Sequence, residues 1–177
     1  MKPMVEVEDA WSRSGSVESL VEELASNDGA KRQRARERLV EMGATAVPAL
    51  LTALGSPGEN VRWETAKALG EIRDPRAAPA LVDALEDNEA AVRWLAAKAL
   101  IALGRRGLVP LLEGVVRCTD NSWLKAGAVH VLHTLVREGV APEAAPVLEA
   151  LEDIAPRVEA PVAAYHVLQE LSRKQAD

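Results

Sequence analysis

Apolar residues recur along this chain at helical spacing, in short runs separated by turn residues. Val17, Leu20, Val21 and Leu24 follow Ser16, a good N-cap, and predict a first helix over about 17–25. Asn27 and Asp28 can cap the next helix, which carries Arg32, Ala35, Leu39 and Met42 and stops at Gly43. The alternation of a short and a longer helix then continues. Pro48 sits in a first turn ahead of Leu50, Leu51 and Leu54; Ser56-Pro57-Gly58 turns the chain into a helix over about 59–72. A third pair uses Pro79, Leu81, Val82 and Leu85, a turn at Asp87-Asn88, and 92–103, with Gly104 and Gly107 marking its end. A fourth uses Pro110, Leu111, Leu112, Val115 and Val116, then Asp120-Asn121, then 124–135. After a longer loop, 137–145, a fifth uses Pro146, Val147, Leu148 and Leu151, then roughly 157–172.

The pairs are copies of one another. Val61 and Val92, Arg62 and Arg93, Trp63 and Trp94, Lys67 and Lys98, and Leu69 and Leu100 are each 31 residues apart. Pro48, Pro79 and Pro110 keep the same 31-residue step, and Pro146 follows after 36. In the fourth pair the step becomes 32 if Lys125 takes the Arg93 position, and in the fifth Pro161 stands where an arginine is expected. A fixed period of this size signals an array of stacked units. One helical pair cannot bury its apolar stripe alone, so its neighbours must cover it. The expectation is an all-α chain, an α-solenoid of about five helical hairpins wound as a right-handed superhelix with a concave side. A polar tail, 1–15, precedes a single domain, 16–173, with repeats at about 16–43, 44–73, 74–105, 106–138 and 139–173. Trp11 is the only large apolar group of the tail.

The run Val61-Arg62-Trp63-Glu64-Thr65-Ala66-Lys67-Ala68-Leu69-Gly70-Glu71-Ile72, followed by Asp74-Pro75-Arg76-Ala77 and Pro79-Ala80-Leu81, resembles the HEAT-like repeat family first associated with phycobilisome lyase subunits. The resemblance covers roughly residues 17–170 and is best in the two central repeats. It implies that Val61, Ala66 and Leu69, like Val92, Ala97 and Leu100, face the core. It also implies that Arg62 and Arg93 are structural, tying one repeat to the next, often through an acidic group. Members act mostly as binding scaffolds; some are bilin lyase subunits, and some carry a metal-binding His-Glu pair.

Composition narrows the function. Hydrophobic residues make up 48% of the 177, enough for a core, while four Trp, one Tyr and no Phe leave alanine and leucine to fill it. The net charge is -6. An acidic chain is a poor generic binder of phosphates, since each contact needs Lys or Arg. The one cysteine, Cys118, can neither close an internal disulfide nor build a thiolate metal site by itself, and reads as a small, partly buried residue. The acidic N-terminal stretch has no signal-peptide character and no apolar run reaches membrane-spanning length, so the cytoplasm is the expected location.

The variable positions of each second helix lie one, two, five and nine residues after the arginine, in one stripe on the expected concave wall. The stripe reads Gln33, Arg34, Glu37 and Glu41; Trp63, Glu64, Lys67 and Glu71; Trp94, Leu95, Lys98 and Ala102; Ala126, Gly127, His130 and Thr134; and Val162, Ala163 and His166. Trp123 stands just before it. Trp63 and Trp94, one repeat apart, should lie about 10 Å from each other. An exposed indole on a ridge is a typical interface anchor, although both could instead pack over neighbouring helices. Lys67, Lys98, His130 and His166 form a possible basic row.

Other chemistry is disfavoured. The metal-binding members place His-Glu directly after the arginine, where this chain has Trp63-Glu64 and Trp94-Leu95. His130 and His133 could share a metal by spacing but lack further ligands. The basic run Lys31, Arg32, Arg34, Arg36 and Arg38 is interrupted by Glu37 and followed by Glu41, which suits a salt-bridged helix better than a phosphate surface. No phosphate loop, nucleophile elbow or triad is present. The expectation is a non-enzymatic scaffold without cofactor, binding a protein or peptide around Trp63, Trp94 and Trp123, with Glu64, Lys67, Lys98 and His130 fixing its orientation and Leu95 enlarging the apolar patch. The alternatives are an accessory subunit of a bilin-lyase-like enzyme and a HEAT-like nucleic acid binder.

Overall fold

The computed structural model describes residues 15–117, 120–153 and 156–176, so Trp11, Cys118 and most of the polar tail lie outside the described residues. Ten α-helices follow one another among them: α1 Val17–Glu23, α2 Gly29–Met42, α3 Val47–Ala53, α4 Glu59–Ile72, α5 Ala78–Asp83, α6 Ala90–Leu103, α7 Leu108–Arg117, α8 Ser122–Arg137, α9 Ala145–Glu152 and α10 Pro156–Ala176. No strand occurs among the described residues, and none of their helices is long and apolar enough to cross a membrane.

Local chemistry sets the starts and stops. Ser16 Oγ accepts the Ser19 N–H at 3.2 Å, Asp28 Oδ1 accepts that of Ala30 at 2.9 Å, and Asn121 Oδ1 accepts those of Trp123 and Leu124. Each satisfies amide donors that the first turn of a helix leaves orphaned. Pro48, Pro79 and Pro146 occupy first turns, where a missing N–H costs nothing. The helices α2 and α6 end at Gly43 and Gly104, both with positive φ (57° and 61°). At the matching end of α4 stands Arg73, the one described non-glycine residue with positive φ (57°), in the left-handed conformation.

The pairs stack into two layers. The short helices α1 and α3, and α5 and α7, pack side by side in one layer; the long helices α2, α4, α6 and α8 pack successively in the other. Leucines at 39, 50, 69, 81, 85, 100, 111, 112 and 132 are almost wholly inaccessible between them. Alanines at 66, 68, 96, 97 and 99 are equally buried and let backbones approach closely. Gly114 shows how tight one approach is. A Cβ placed there would lie 2.5 Å from Cγ1 of Val82, whose β-branched side chain has little freedom to swing away. Gly114→Ala is therefore expected to destabilise the fold by about 1–3 kcal/mol, measured by urea unfolding.

A recurring arginine, four residues after each N-cap, clamps the loop of its own hairpin. The Nη1 of Arg32 donates to the Ser26 carbonyl at 2.8 Å, that of Arg62 to Ser56 at 2.9 Å and that of Arg93 to Asp87 at 2.7 Å. Lys125 takes the same place after Asn121 in α8, which accounts for the 32-residue step.

The fifth pair departs from the expected stacking. Instead of extending its own layer, α9 packs on α8; α10 packs on α7, in the short-helix layer, and on α9. The hairpin has changed sides. The 36-residue step and the turn around Gly139 (φ 68°) give the chain the length to do so. Pro161 lies inside α10, where it cannot donate the hydrogen bond an arginine backbone would have supplied.

Candidate partner-binding face

The open wall of the long-helix layer carries a groove between α4 and α6, of about 420 Å³. Its floor is small: Ala66 and Gly70 on α4, Ala99 and Ala102 on α6. A Cβ on Gly70 would lie 3.1 Å from that of Ala99, so the two helices nearly touch there. Trp63 and Trp94 stand at one end of the groove, with Lys67 and Lys98 a helical turn further along, and Glu71 and Arg73 beyond.

The two indoles differ. Trp94 is 55% exposed, whereas Trp63 is half-buried against the core. Each is covered by the lysine four residues on, with Lys67 Nζ 5.1 Å from the Trp63 ring and Lys98 Nζ 4.4 Å from the Trp94 ring. These are cation–π distances. Trp123, 45% exposed, lies in the first turn of α8 and does not line the groove. The Arg93 guanidinium stacks on its ring at 4.3 Å, joining the third pair to the fourth.

Three expected positions must be corrected. Glu64 is only 3% exposed; its Oε2 accepts from Arg36 Nη1 at 2.7 Å and its Oε1 lies 3.4 Å from Arg32 Nε. Leu95 is 7% exposed and belongs to the core; it lines the groove from below and does not stand on the exposed wall. The matching Gly127 lies so close to Leu85 that a Cβ would approach its Cδ2 at 2.8 Å. In the second, third and fourth repeats the position two after the arginine, or after Lys125, therefore faces inward, whereas Arg34, at the same place in the first repeat, is exposed. His166 leaves the basic row as well, because α10 lies against α7. His130 is exposed on α8, apart from the groove lining. Among the described residues no cluster of His, Cys, Asp and Glu could hold a metal ion.

The basic run of α2 is largely consumed in pairing. Arg36 also reaches Glu71 at 3.6 Å, Lys31 pairs with Glu23 and Arg38 with Glu41. The densest pairing lies one repeat on. Arg62 grips Asp87 with two hydrogen bonds, of 2.7 and 3.0 Å, and Asn88 Oδ1 with a third of 2.7 Å. Burial alone would push the Asp87 carboxyl up; the Arg62 guanidinium and the Glu89 N–H outweigh it and hold it below its ordinary value. On the surface, the Arg76 guanidinium and backbone N–H hold Asp74 down, and Arg76 also reaches back to the Ala44 carbonyl at 3.0 Å.

Reading the sequence alone misses Arg73. Its signal was there, since an arginine occupies the helix end where the repeats on either side use Gly43 and Gly104.

Two-helix units stacked in register, tied by a periodic arginine, define an α-solenoid repeat protein. A family model for HEAT repeats matches residues 17–100 and again 79–168, and the chain belongs to the HEAT-repeat family. Among solved structures it is similar to the complex of CpcE and CpcF of phycocyanin lyase from Nostoc sp. PCC7120. That likeness has 25% identity and a TM-score of 0.57, over 86% of this chain and 97% of that one. It accords with the phycobilisome-lyase type of repeat quoted by 61–81. An engineered protein is similar at 19% identity and a TM-score of 0.42, over 90% of this chain and 82% of that one. Comparison with curated proteins finds no match.

Proposed function

We propose that the protein is a non-enzymatic scaffold that takes another protein, or an extended peptide, on the α4–α6 face. One observation carries this reading: Trp94 stands 55% exposed beside an open groove whose floor is alanine and glycine. A large indole left in water at such a place supplies flat apolar area for a partner. Lys67 and Lys98, held over the rings, add charge that orients what binds. Trp94→Ala removes that area while touching little of the core. It should weaken partner binding by about 2 kcal/mol, roughly thirtyfold, with the melting temperature nearly unchanged. The check is quantitative affinity purification from the source cell with wild type and variant side by side. Equal recovery of every partner by both baits would remove the proposal.

The likeness to the CpcE–CpcF complex favours a second reading, in which the chain is a subunit of a lyase-type assembly. Co-expression with a phycobiliprotein would then yield visible bilin absorbance on that protein. Its absence, alongside Trp94-dependent capture of an unrelated partner, would decide for the scaffold.

A further inference from the structure

The charge around the groove runs against that of the chain. The whole sequence carries 27 acidic and 21 basic residues. Yet Lys67, Lys98 and Arg73 converge on one groove, and among the described residues none of the three is in an ion pair. Most described arginines, by contrast, are spent on carboxylates or loop carbonyls: 32, 36, 38, 62, 76, 93, 105, 117 and 137. The single acid of the groove, Glu71, is itself drawn toward Arg36 at 3.6 Å. Arg73 is held at a positive φ that its sister repeats give to glycine, a conformation that costs an L-residue about 1 kcal/mol. A cation is thus kept at the groove's end against backbone preference.

Resting on the scaffold reading, we infer that the occupant of this groove is an acidic, amphipathic peptide segment of a partner protein. An apolar side chain fills the space over Gly70 and Ala102 beside Trp94, and flanking Asp or Glu carboxylates meet Lys67, Lys98 and Arg73. The lysine ammoniums already lie over the indoles, so a carboxylate reaching them finds them desolvated on one side and keeps their cation–π contact. A basic segment would meet three uncompensated cations. A nucleic acid strand needs a longer basic track, and the acids of the neighbouring repeats interrupt one.

The test is selection from a random 12-residue peptide library displayed on phage, with the full chain as bait. Fluorescence anisotropy then follows the enriched peptides and, separately, a labelled 20-nucleotide oligo-dT. The expected winners carry several Asp or Glu around Leu or Trp. Their affinity falls at least tenfold in the Lys67→Glu/Lys98→Glu variant and several-fold when salt is raised tenfold, while circular dichroism shows the fold intact. Neutral or basic winners that still need Trp94 would overturn the acidic inference and leave the groove reading standing. Winners indifferent to Trp94→Ala, or no enrichment at all, would overturn both. So would oligo-dT binding stronger than that of any peptide. A competing peptide of residues 1–14 that displaces the winners would name this chain's own acidic tail as the occupant and overturn the partner assignment.

Discussion

Arg62→Ala is expected to lower the folding free energy by about 3 kcal/mol, among the largest single losses in the chain. The side chains of Arg62 and Asp87 are only 11% and 9% exposed, so removing the cation leaves a carboxylate shielded from water with just the Glu89 N–H to hold it. The Ser56 and Pro57 carbonyls and Asn88 Oδ1 lose their donor in the same step. Arg62→Lys keeps the charge but not the fork, which two parallel bonds to a carboxylate require, and should lose somewhat over half as much. The damage is local at first. Hydrogen exchange should quicken in 84–94, where the second pair meets the third, before the array as a whole opens.

The same pair predicts a dependence on pH. Asp87 is held below its unfolded value of about 3.9, so its contribution is fully present above that value and is lost as pH falls through the lower folded pKa. Urea midpoints of wild type and Arg62→Ala should therefore differ most at neutral pH and draw together as the pH falls below the ordinary carboxylate value of about 3.9. A difference that stays constant across the whole acid limb would mean that the loop carbonyls, and not the ion pair, carry the arginine's effect.

How far the sequence foretold this arrangement depends on which contacts a period can encode. The 31-residue step from Val61 to Val92 and the prolines at 48, 79 and 110 report a unit repeated in place, and the first four pairs follow it. The fifth pair breaks that premise. Its helices obey the same local rules, with Pro146 in a first turn, yet they stack on opposite layers. Nothing in helical periodicity says which layer an apolar stripe will meet; only the longer spacing before Pro146 hinted at the change. The stripe itself was legible where one turn of helix separates its members, as for Trp63 and Lys67 or Trp94 and Lys98. It misled at Glu64 because the buried face of a helix flanked on both sides is wider than that of a lone hairpin. A charged residue signals exposure only until a neighbour presents Arg36 and Arg32.

Glu64 separates a structural role from a binding one. Glu64→Ala leaves Arg36, whose side chain is 8% exposed, with only a distant partner in Glu71 at 3.6 Å, and leaves Arg32 facing the same gap. The expected loss is about 3 kcal/mol, because an unpaired buried charge costs more than the pair contributed. Removing both charges should behave differently. An Arg36→Met/Glu64→Leu chain fills the space with apolar atoms and should recover to within about 1 kcal/mol of wild type, a coupling that a double-mutant cycle in urea reads directly. Neither Arg36 nor Glu64 lines the groove, and Trp94, Lys67 and Lys98, which do, are left untouched. The double variant should therefore still bind the acidic peptides that Lys67→Glu/Lys98→Glu rejects. If binding vanished while stability returned, Glu64 would have to meet the partner itself, and the inward orientation of that helix position would be wrong.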